Sequence, residues 1–222
     1  MYEDDEFEYI YPILEESYEP VLVHLRYNFF PHEVMNKAVR ISEQGESHEL
    51  LESHSLKTLK DNLSVMALHS ASNEIAGVCL NGILRNGDLE KDLEMLKTLS
   101  DEKYKLIFTL LTKFNLSCNI FEREQVDELF ECRILSVDNK FRGKGLAGKL
   151  VELSEEIGRK EGFKVMKADL TGAFSQKVFT KRGHEIIFEK KYEDMTDEDG
   201  EQLLKTDPPH YYFQTCIKRL DD

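Results

Sequence analysis

The most informative segment of the chain reads Ile134-Leu135-Ser136-Val137-Asp138-Asn139-Lys140-Phe141-Arg142-Gly143-Lys144-Gly145-Leu146-Ala147-Gly148-Lys149-Leu150. It continues an apolar run, Glu128–Val137, which predicts a β-strand. Apolar residues then recur with helical spacing from about Gly145 to Glu161, and Gly162 follows as a helix-ending residue. The segment is therefore predicted to form a strand, a short basic loop and a helix in direct succession.

The loop between this strand and helix is suited to bind an anion. Its glycines allow a tight turn, and the free backbone amides at the helix start carry the positive end of the helix dipole. Residues 138–150 have a local charge of +3, although the whole chain has a net charge of −14. The basic residues are Lys140, Arg142, Lys144 and Lys149. We therefore expect a phosphate-bearing ligand here.

Three phosphate-binding patterns compete for this loop. A Walker A motif, G-x-x-x-x-G-K-(S/T), is absent from the sequence. A dinucleotide-binding fingerprint is matched loosely by Gly143-Lys144-Gly145 and Gly148, but basic residues inside that loop are unusual. The pyrophosphate loop of acetyl-coenzyme A-dependent transferases, (Q/R)-x-x-G-x-(G/A), is matched by Arg142, Gly145 and Ala147 and is favoured. An ordinary tight turn with a basic surface is the remaining alternative.

The same segment resembles the GCN5-related N-acetyltransferase (GNAT) superfamily. More closely, the chain resembles the insect arylalkylamine N-acetyltransferases, the group that includes dopamine N-acetyltransferases. Three further stretches carry this closer resemblance: residues 55–62, residues 75–82, and Ser175–Arg182 followed by Gly183. The resemblance spans nearly the whole chain, so we expect residues 1–222 to form a single N-acetyltransferase domain.

The resemblance implies an α/β fold in which a mixed, mostly antiparallel seven-stranded sheet has helices on both faces. Two neighbouring parallel strands splay apart in this fold, and the pantetheine arm of the coenzyme lies in the gap. We assign the splayed pair to Glu128–Val137 and Lys164–Leu170. The remaining predicted strands are Phe7–Ile13, Leu63–His69, Ile75–Arg85, Glu185–Tyr192 and His210–Leu220.

The sequence pattern also predicts the helices. Their spans are 20–30, 32–41, 88–118 with a break near Ser100-Asp101, and 174–181. Asp101 or Ser100 is a candidate N-cap for the helix that follows the break. The acidic segment Asp194–Asp207 is predicted to be a solvated loop with a short helical piece.

The resemblance implies acetyl-coenzyme A as the acyl-donor co-substrate and no metal. Backbone groups of Leu135, Ser136 and Val137 would pair with the pantetheine amides, as a peptide extends a sheet edge. Ser175 would also contact the coenzyme. The pyrophosphate would be held by the loop and the helix start, namely Arg142, Gly143, Lys144, Gly145, Leu146, Ala147 and Gly148.

Acetyl transfer to an amine needs a neutral amine, yet an alkylamine with a pKa near 10.4 is only about one part in 10³ neutral near pH 7. A general base is therefore useful, and the resemblance points to Glu33, just after Phe29 and Phe30. Judged from the sequence alone, Glu33 lies in the first turn of the predicted helix 32–41 and would only complement the dipole of that helix. Thr171 and Ser175 match two family serines that would relay a proton to the departing thiolate. Ser175 is equally well explained as a helix N-cap.

Composition limits the other function classes. A pI near 5.0 argues against general nucleic-acid binding. The four cysteines form no CxxC pair and the seven histidines no metal-ligand spacing, so the cysteines are predicted to be reduced core residues. The acidic N-terminus differs from a basic signal peptide, and the longest apolar run is far shorter than a membrane span. We expect a cytoplasmic monomer that binds neither nucleic acid nor membranes.

These observations predict an N-acetyltransferase of small arylalkylamines such as dopamine, tyramine, tryptamine or serotonin, acting by direct attack in a ternary complex. One alternative is a polyamine or other small-amine N-acyltransferase. The other is a catalytically silent acyl-coenzyme A sensor. Phe179 favours the sensor, because it takes the position where many superfamily members have a tyrosine that acts as the general acid. Glu33 with Ser175 favours the enzyme.

Overall fold

A mixed sheet forms the centre of the computed structural model, which describes residues 2–3 and 6–221 of the chain. In the described residues the strands are β1 (Tyr2–Glu3), β2 (Phe7–Ile10), β3 (Val65–His69), β4 (Ile75–Arg85), β5 (Glu128–Val137), β6 (Val165–Leu170), β7 (Glu185–Lys191) and β8 (Tyr212–Arg219). They are ordered β1-β2-β3-β4-β5-β6-β8-β7, and only β5 and β6 pair in parallel. The predicted GNAT fold is confirmed, and the two-residue β1 adds a short strand beside the seven that were expected.

Helices cover both faces of the sheet. In the described residues they are α1 (Tyr18–Asn28), α2 (Val34–Val39), α3 (Glu49–Leu59), α4 (Asp88–Leu96), α5 (Glu102–Cys118), α6 (Ile120–Glu124), α7 (Leu146–Lys160) and α8 (Ala173–Lys181). Leu150 and Leu153 of α7 pack on one face against residues such as Phe130. The other face is covered by α1, α3 and α5 through a second cluster that includes Leu25 and Ile107. No helix within the described ranges has the length and apolar character needed to cross a bilayer.

Several local predictions were correct and others were not. Asp101 is the N-cap of α5, and its carboxylate accepts a hydrogen bond from the Tyr104 amide at 2.9 Å. Helix α3 was not predicted, because its N-cap is His48, which is not one of the usual capping residues. The helical piece expected within Asp194–Asp207 does not form: a 3-10 turn at Tyr192–Asp194 ends at the first residue of this segment, and Thr196 and Gln202 pair in an isolated β-bridge.

Strands β5 and β6 separate after three residue pairs. The last pair is Cys132 with Ala168. On the other side of β5, Leu80 of β4 pairs with Ile134 and Asn81 with Cys132, which makes Arg133 an extra residue, a β-bulge. A bulge bends its strand and disrupts the adjoining ladder. The remainder of β5, to Val137, therefore pairs only with β4 and leaves the edge that faces β6 free.

The Arg133 side chain holds the bulge in place. Its guanidinium donates to Glu131 at 2.8 Å, to the Thr58 hydroxyl at 3.1 Å and to the Ile83 carbonyl at 2.9 Å. Gly82 provides the room, because a Cβ atom there would lie 2.6 Å from a guanidinium nitrogen. The bulge thus depends on a glycine in the neighbouring strand.

A buried ion cluster joins β5 to β6 where the ladder ends. The Lys167 ammonium, almost fully buried, donates to Glu131 at 2.7 Å and to Asp169 at 2.7 Å. Burial alone would raise the pKa of Glu131, but Lys167 and Arg133 hold that pKa well below its ordinary value. The negative charges of Glu131 and Asp169 balance the positive charges of Lys167 and Arg133, as a buried ion cluster requires.

Candidate active site

The gap between β5 and β6 exposes backbone groups that lack a strand partner. Leu135 and Val137 are half-buried at this edge, whereas Ser136 is buried. The Ser136 hydroxyl lies 2.9 Å from Nε2 of His24 in α1. Its side chain is therefore engaged with α1, and its carbonyl faces β4, where a Cβ atom on Gly77 would lie 2.9 Å from it. In an antiparallel ladder this alternation turns the backbone groups of Leu135 and Val137 towards the gap.

The glycine loop follows directly at the end of β5. Gly143 and Gly145 have φ angles of +83° and +80°, a left-handed conformation that favours glycine, and a Cβ atom at either position would meet no atom within 4 Å. Gly145 is the N-cap of α7 and has no side chain to satisfy the first amides. The first bond of the helix runs from the Lys149 amide to the Gly145 carbonyl. The amides of residues 146–148 thus lack helical partners beside an open loop, as an anion site needs.

The positive charge of this loop is largely paired within the protein. Lys140 forms an ion pair with Glu74 at 2.9 Å, Lys149 pairs with Glu152 at 2.7 Å, and Lys144 pairs with Glu6. Arg142 donates instead to the Val137 carbonyl at 3.3 Å. The local charge of +3 is therefore offset by nearby acids, so backbone amides and Arg142 are the better-placed groups for an anion.

A cavity of about 400 Å³ lies beside the gap, and all three candidate catalytic residues line it. These are Glu33, Thr171 and Ser175. Its volume is in the usual range for small-molecule sites. Much of the wall is apolar and comes from Phe29, Phe30, Met35, Leu96, Ile107 and Leu111.

Glu33 is placed at the cavity by the start of α2. It is the N-cap of that helix, and its carboxylate accepts hydrogen bonds from the amides of Met35 at 3.1 Å and Asn36 at 2.7 Å. The helix start packs against the turn between β6 and α8, since a Cβ atom on Gly172 would lie 3.0 Å from Val34. This packing brings Glu33 to the turn that carries Thr171 and Ser175.

Thr171 and Ser175 occupy this turn and the first turn of α8. The Thr171 carbonyl accepts a hydrogen bond from the Tyr192 hydroxyl at 2.8 Å, and the Ser175 hydroxyl donates to the Gly172 carbonyl at 2.9 Å. The alternative that Ser175 is the N-cap is wrong, because Gly172 has that position. Phe179 is buried on the same helix and lines the cavity.

Two further residues around Glu33 were not predicted from the sequence. Tyr192 is buried, and burial together with the negative charge of Glu33 raises its pKa. His210 accepts a hydrogen bond from the Ala173 amide at 3.1 Å through Nδ1. Both residues flank the acidic loop, where no motif indicated a site. Over residues 6–221, no group of three or more His, Cys, Asp or Glu side chains is arranged to hold a metal ion.

No family model matches the chain. Among solved structures it is similar to arylalkylamine N-acetyltransferase 2 from Aedes aegypti, at 49% identity and a TM-score of 0.93, with 96% of this chain and 99% of that chain covered. It is also similar to a mosquito arylalkylamine N-acetyltransferase like 5b, at 26% identity and a TM-score of 0.86, over 96% and 99% of the two chains. The polyamine N-acetyltransferase of Drosophila melanogaster shares the fold at 22% identity and a TM-score of 0.84, over 96% and 100%.

These similarities agree with the splayed strands and the open glycine loop, which define the class as an acetyltransferase with the GNAT fold. The sequence identity of 49% to arylalkylamine N-acetyltransferase 2, over 96% of this chain, narrows the assignment from the fold to one family. The chain belongs to the arylalkylamine N-acetyltransferase family and is an acetyltransferase enzyme.

The contact between His24 and Ser136 predicts an acid-sensitive fold. Burial lowers the pKa of His24 to about 4 from an ordinary value of 6.5. Between these two pH values the unfolded chain binds a proton that the folded chain does not, so stability falls as the pH falls. We expect His24→Gln to reduce the loss of unfolding free energy between pH 7 and pH 4 by about 3 kcal/mol, measured by urea titration.

The exposed His32 offers a matched control. His32→Gln removes an exposed histidine and leaves the buried His24 in place. The unfolding free energy of this variant should therefore fall between pH 7 and pH 4 by as much as that of the wild type. Equal losses in all three proteins would show that His24 does not confer the acid sensitivity.

Proposed function

We propose that this enzyme transfers the acetyl group of acetyl-coenzyme A to the primary amine of small arylalkylamines, such as dopamine, tyramine, tryptamine or serotonin. The supporting observation is the position of Glu33, which lines a largely apolar cavity beside the β5–β6 gap. The 49% identity to an enzyme named an arylalkylamine N-acetyltransferase also supports this substrate class.

The coenzyme would bind along the gap and the glycine loop. Leu135 and Val137, on either side of Ser136 at the free edge of β5, offer backbone hydrogen bonds to the pantetheine amides. The amides of residues 143–148 and the guanidinium of Arg142 would hold the pyrophosphate. Gly143 and Gly145 suit this role because the space that a side chain would fill is open at both positions.

Glu33 would accept the proton that the amine must lose. The amine nitrogen then attacks the thioester carbonyl within the ternary complex, a C–N bond forms, the C–S bond breaks, and the thiolate takes up a proton. Ser175 and Thr171 are proposed to relay or donate that proton, and Ser175 also to contact the coenzyme. The two amide hydrogen bonds to Glu33 fix its carboxylate at the cavity wall.

Gly145→Asp should weaken coenzyme binding strongly without unfolding the protein. The substitution places a negative charge where helix amides await an anion, so we expect the dissociation constant of acetyl-coenzyme A to rise at least about 10-fold in calorimetry. Gly145→Asn is the matched control, because asparagine tolerates a positive φ and has nearly the same size without the charge. Unchanged affinity in Gly145→Asp would remove the loop from the coenzyme site.

Glu33→Gln should reduce kcat/KM for tyramine by about 10²–10⁴, the usual contribution of a positioned base. The loss should become smaller at high pH, where more of the amine is already neutral, and coenzyme affinity should stay close to the wild-type value. The measurement is a pH–rate profile of each protein with one amine.

The capping role of Glu33 requires a separate control. Glu33→Asn retains a preferred N-cap residue but has no base, so it should lose activity while the unfolding free energy changes by less than about 1 kcal/mol. If Glu33→Asn and Glu33→Gln both keep turnover within a few-fold of the wild type, Glu33 only caps α2. Coenzyme binding without turnover of any amine in the wild type would instead indicate a sensor.

A further inference from the structure

The cavity contains a carboxylate that the proposed chemistry does not use. Asp92 of α4 lines it together with His54 of α3 and Tyr104 and Phe108 of α5. The rings of Tyr104 and Phe108 stack with centroids 4.0 Å apart, and His54 meets Phe108 edge-on at 5.2 Å. Asp92 therefore lies on a part of the cavity wall that is built largely of aromatic side chains.

Asp92 is half-buried, and no residue in the described ranges donates a hydrogen bond to it or forms an ion pair with it. Burial raises its pKa above the ordinary value. Removing a carboxylate from water without a donor costs free energy. An unpaired carboxylate on the wall of a binding cavity thus favours a ligand that supplies the missing donor.

The surrounding charges indicate what kind of donor fits. Lys57 and Arg133 favour the ionised form of Asp92. The negative charges of Asp88 and Glu131 oppose it. Arg133 is itself paired with Glu131. These four charges balance, and a neutral hydroxyl would satisfy the hydrogen-bonding capacity of Asp92 without disturbing that balance.

A further acceptor without a partner belongs to a residue that lines the same cavity. Asn115 of α5 is buried, and its Oδ1 atom has no hydrogen-bond partner in the described part of the chain. Its amide group donates to the Leu111 carbonyl at 2.9 Å and to Asp169 at 2.7 Å. Because a carbonyl can only accept, this orientation of the amide is fixed, and Oδ1 stays an unsatisfied acceptor.

We propose that Asp92 is a specificity-determining residue that accepts a hydrogen bond from a hydroxyl group on the aryl ring of the amine substrate. The inference rests on the proposed function, since it requires an arylalkylamine in this cavity. Ring hydroxyls supply the neutral donor, and the rings of Tyr104 and Phe108 offer flat surfaces for the aryl group.

The test compares tyramine with phenethylamine, which differ only in the ring hydroxyl. In the wild type, kcat/KM should be higher for tyramine. Asp92→Ala should lower the tyramine-to-phenethylamine ratio about 10-fold, the scale of one hydrogen bond to a charged group, with kcat/KM for phenethylamine nearly unchanged. Asp92→Asn keeps an acceptor oxygen and should restore part of the ratio.

Glu94→Gln is the matched control, because it removes one charge from the exposed side of the same helix. The ratio of kcat/KM for tyramine to kcat/KM for phenethylamine should be the same in this variant as in the wild type. Calorimetry with acetyl-coenzyme A should give the same affinity for all four proteins, which shows that each variant is folded at the active site.

An unchanged ratio in Asp92→Ala would overturn the proposal. So would a wild type that prefers agmatine to tyramine and loses that preference in Asp92→Ala, because Asp92 would then recognise a cation. Failure of the proposed function has a different signature, namely no turnover of either arylalkylamine by the wild type.

Discussion

The site depends on the early end of the ladder between β5 and β6. Parallel neighbours in a sheet normally pair along their shared length, but here pairing stops at Cys132 and Ala168. The extra residue Arg133 bends β5 at this point, and the ion cluster around Lys167 holds the last paired residues together. This geometry accounts for the free strand edge beyond the bulge and for the cavity beside the gap, and the glycine loop begins where β5 ends.

The residues of the site also have structural roles. Glu33 closes the first turn of α2 with the same carboxylate that is proposed to take the proton, and the Ser136 side chain contacts His24 of α1. Capping fixes the Glu33 side chain without adding another charged group to the cavity. A base held by backbone amides is thus positioned at little cost in conformational freedom.

The sequence was most informative where local pattern and function coincide. The strand Glu128–Val137 and the glycine loop were predicted correctly, because alternation and glycine spacing are local signals. Glu33 came from family resemblance. Its own neighbourhood indicated only a first-turn residue that complements the helix dipole, and in the structure it is the N-cap of α2.

Other features depend on contacts between distant segments, which one sequence does not reveal. The bulge at Arg133 requires Gly82 in β4, the charges of Lys140 and Lys144 are met by Glu74 and Glu6, and Asp92 meets Tyr104 only after the helices pack. Helix α3 was missed because it lacks a conventional cap. Such features become visible only once the chain is folded.

The most direct test of the account is hydrogen exchange at the backbone amides of residues 134–137, with and without saturating coenzyme A. If the free edge of β5 binds the pantetheine arm, the amides that face the gap should exchange readily in the free protein and become protected on binding. Amides in the β7–β8 ladder should not respond. Unchanged exchange at residues 134–137 in the saturated complex would contradict the central claim that this gap is the coenzyme site.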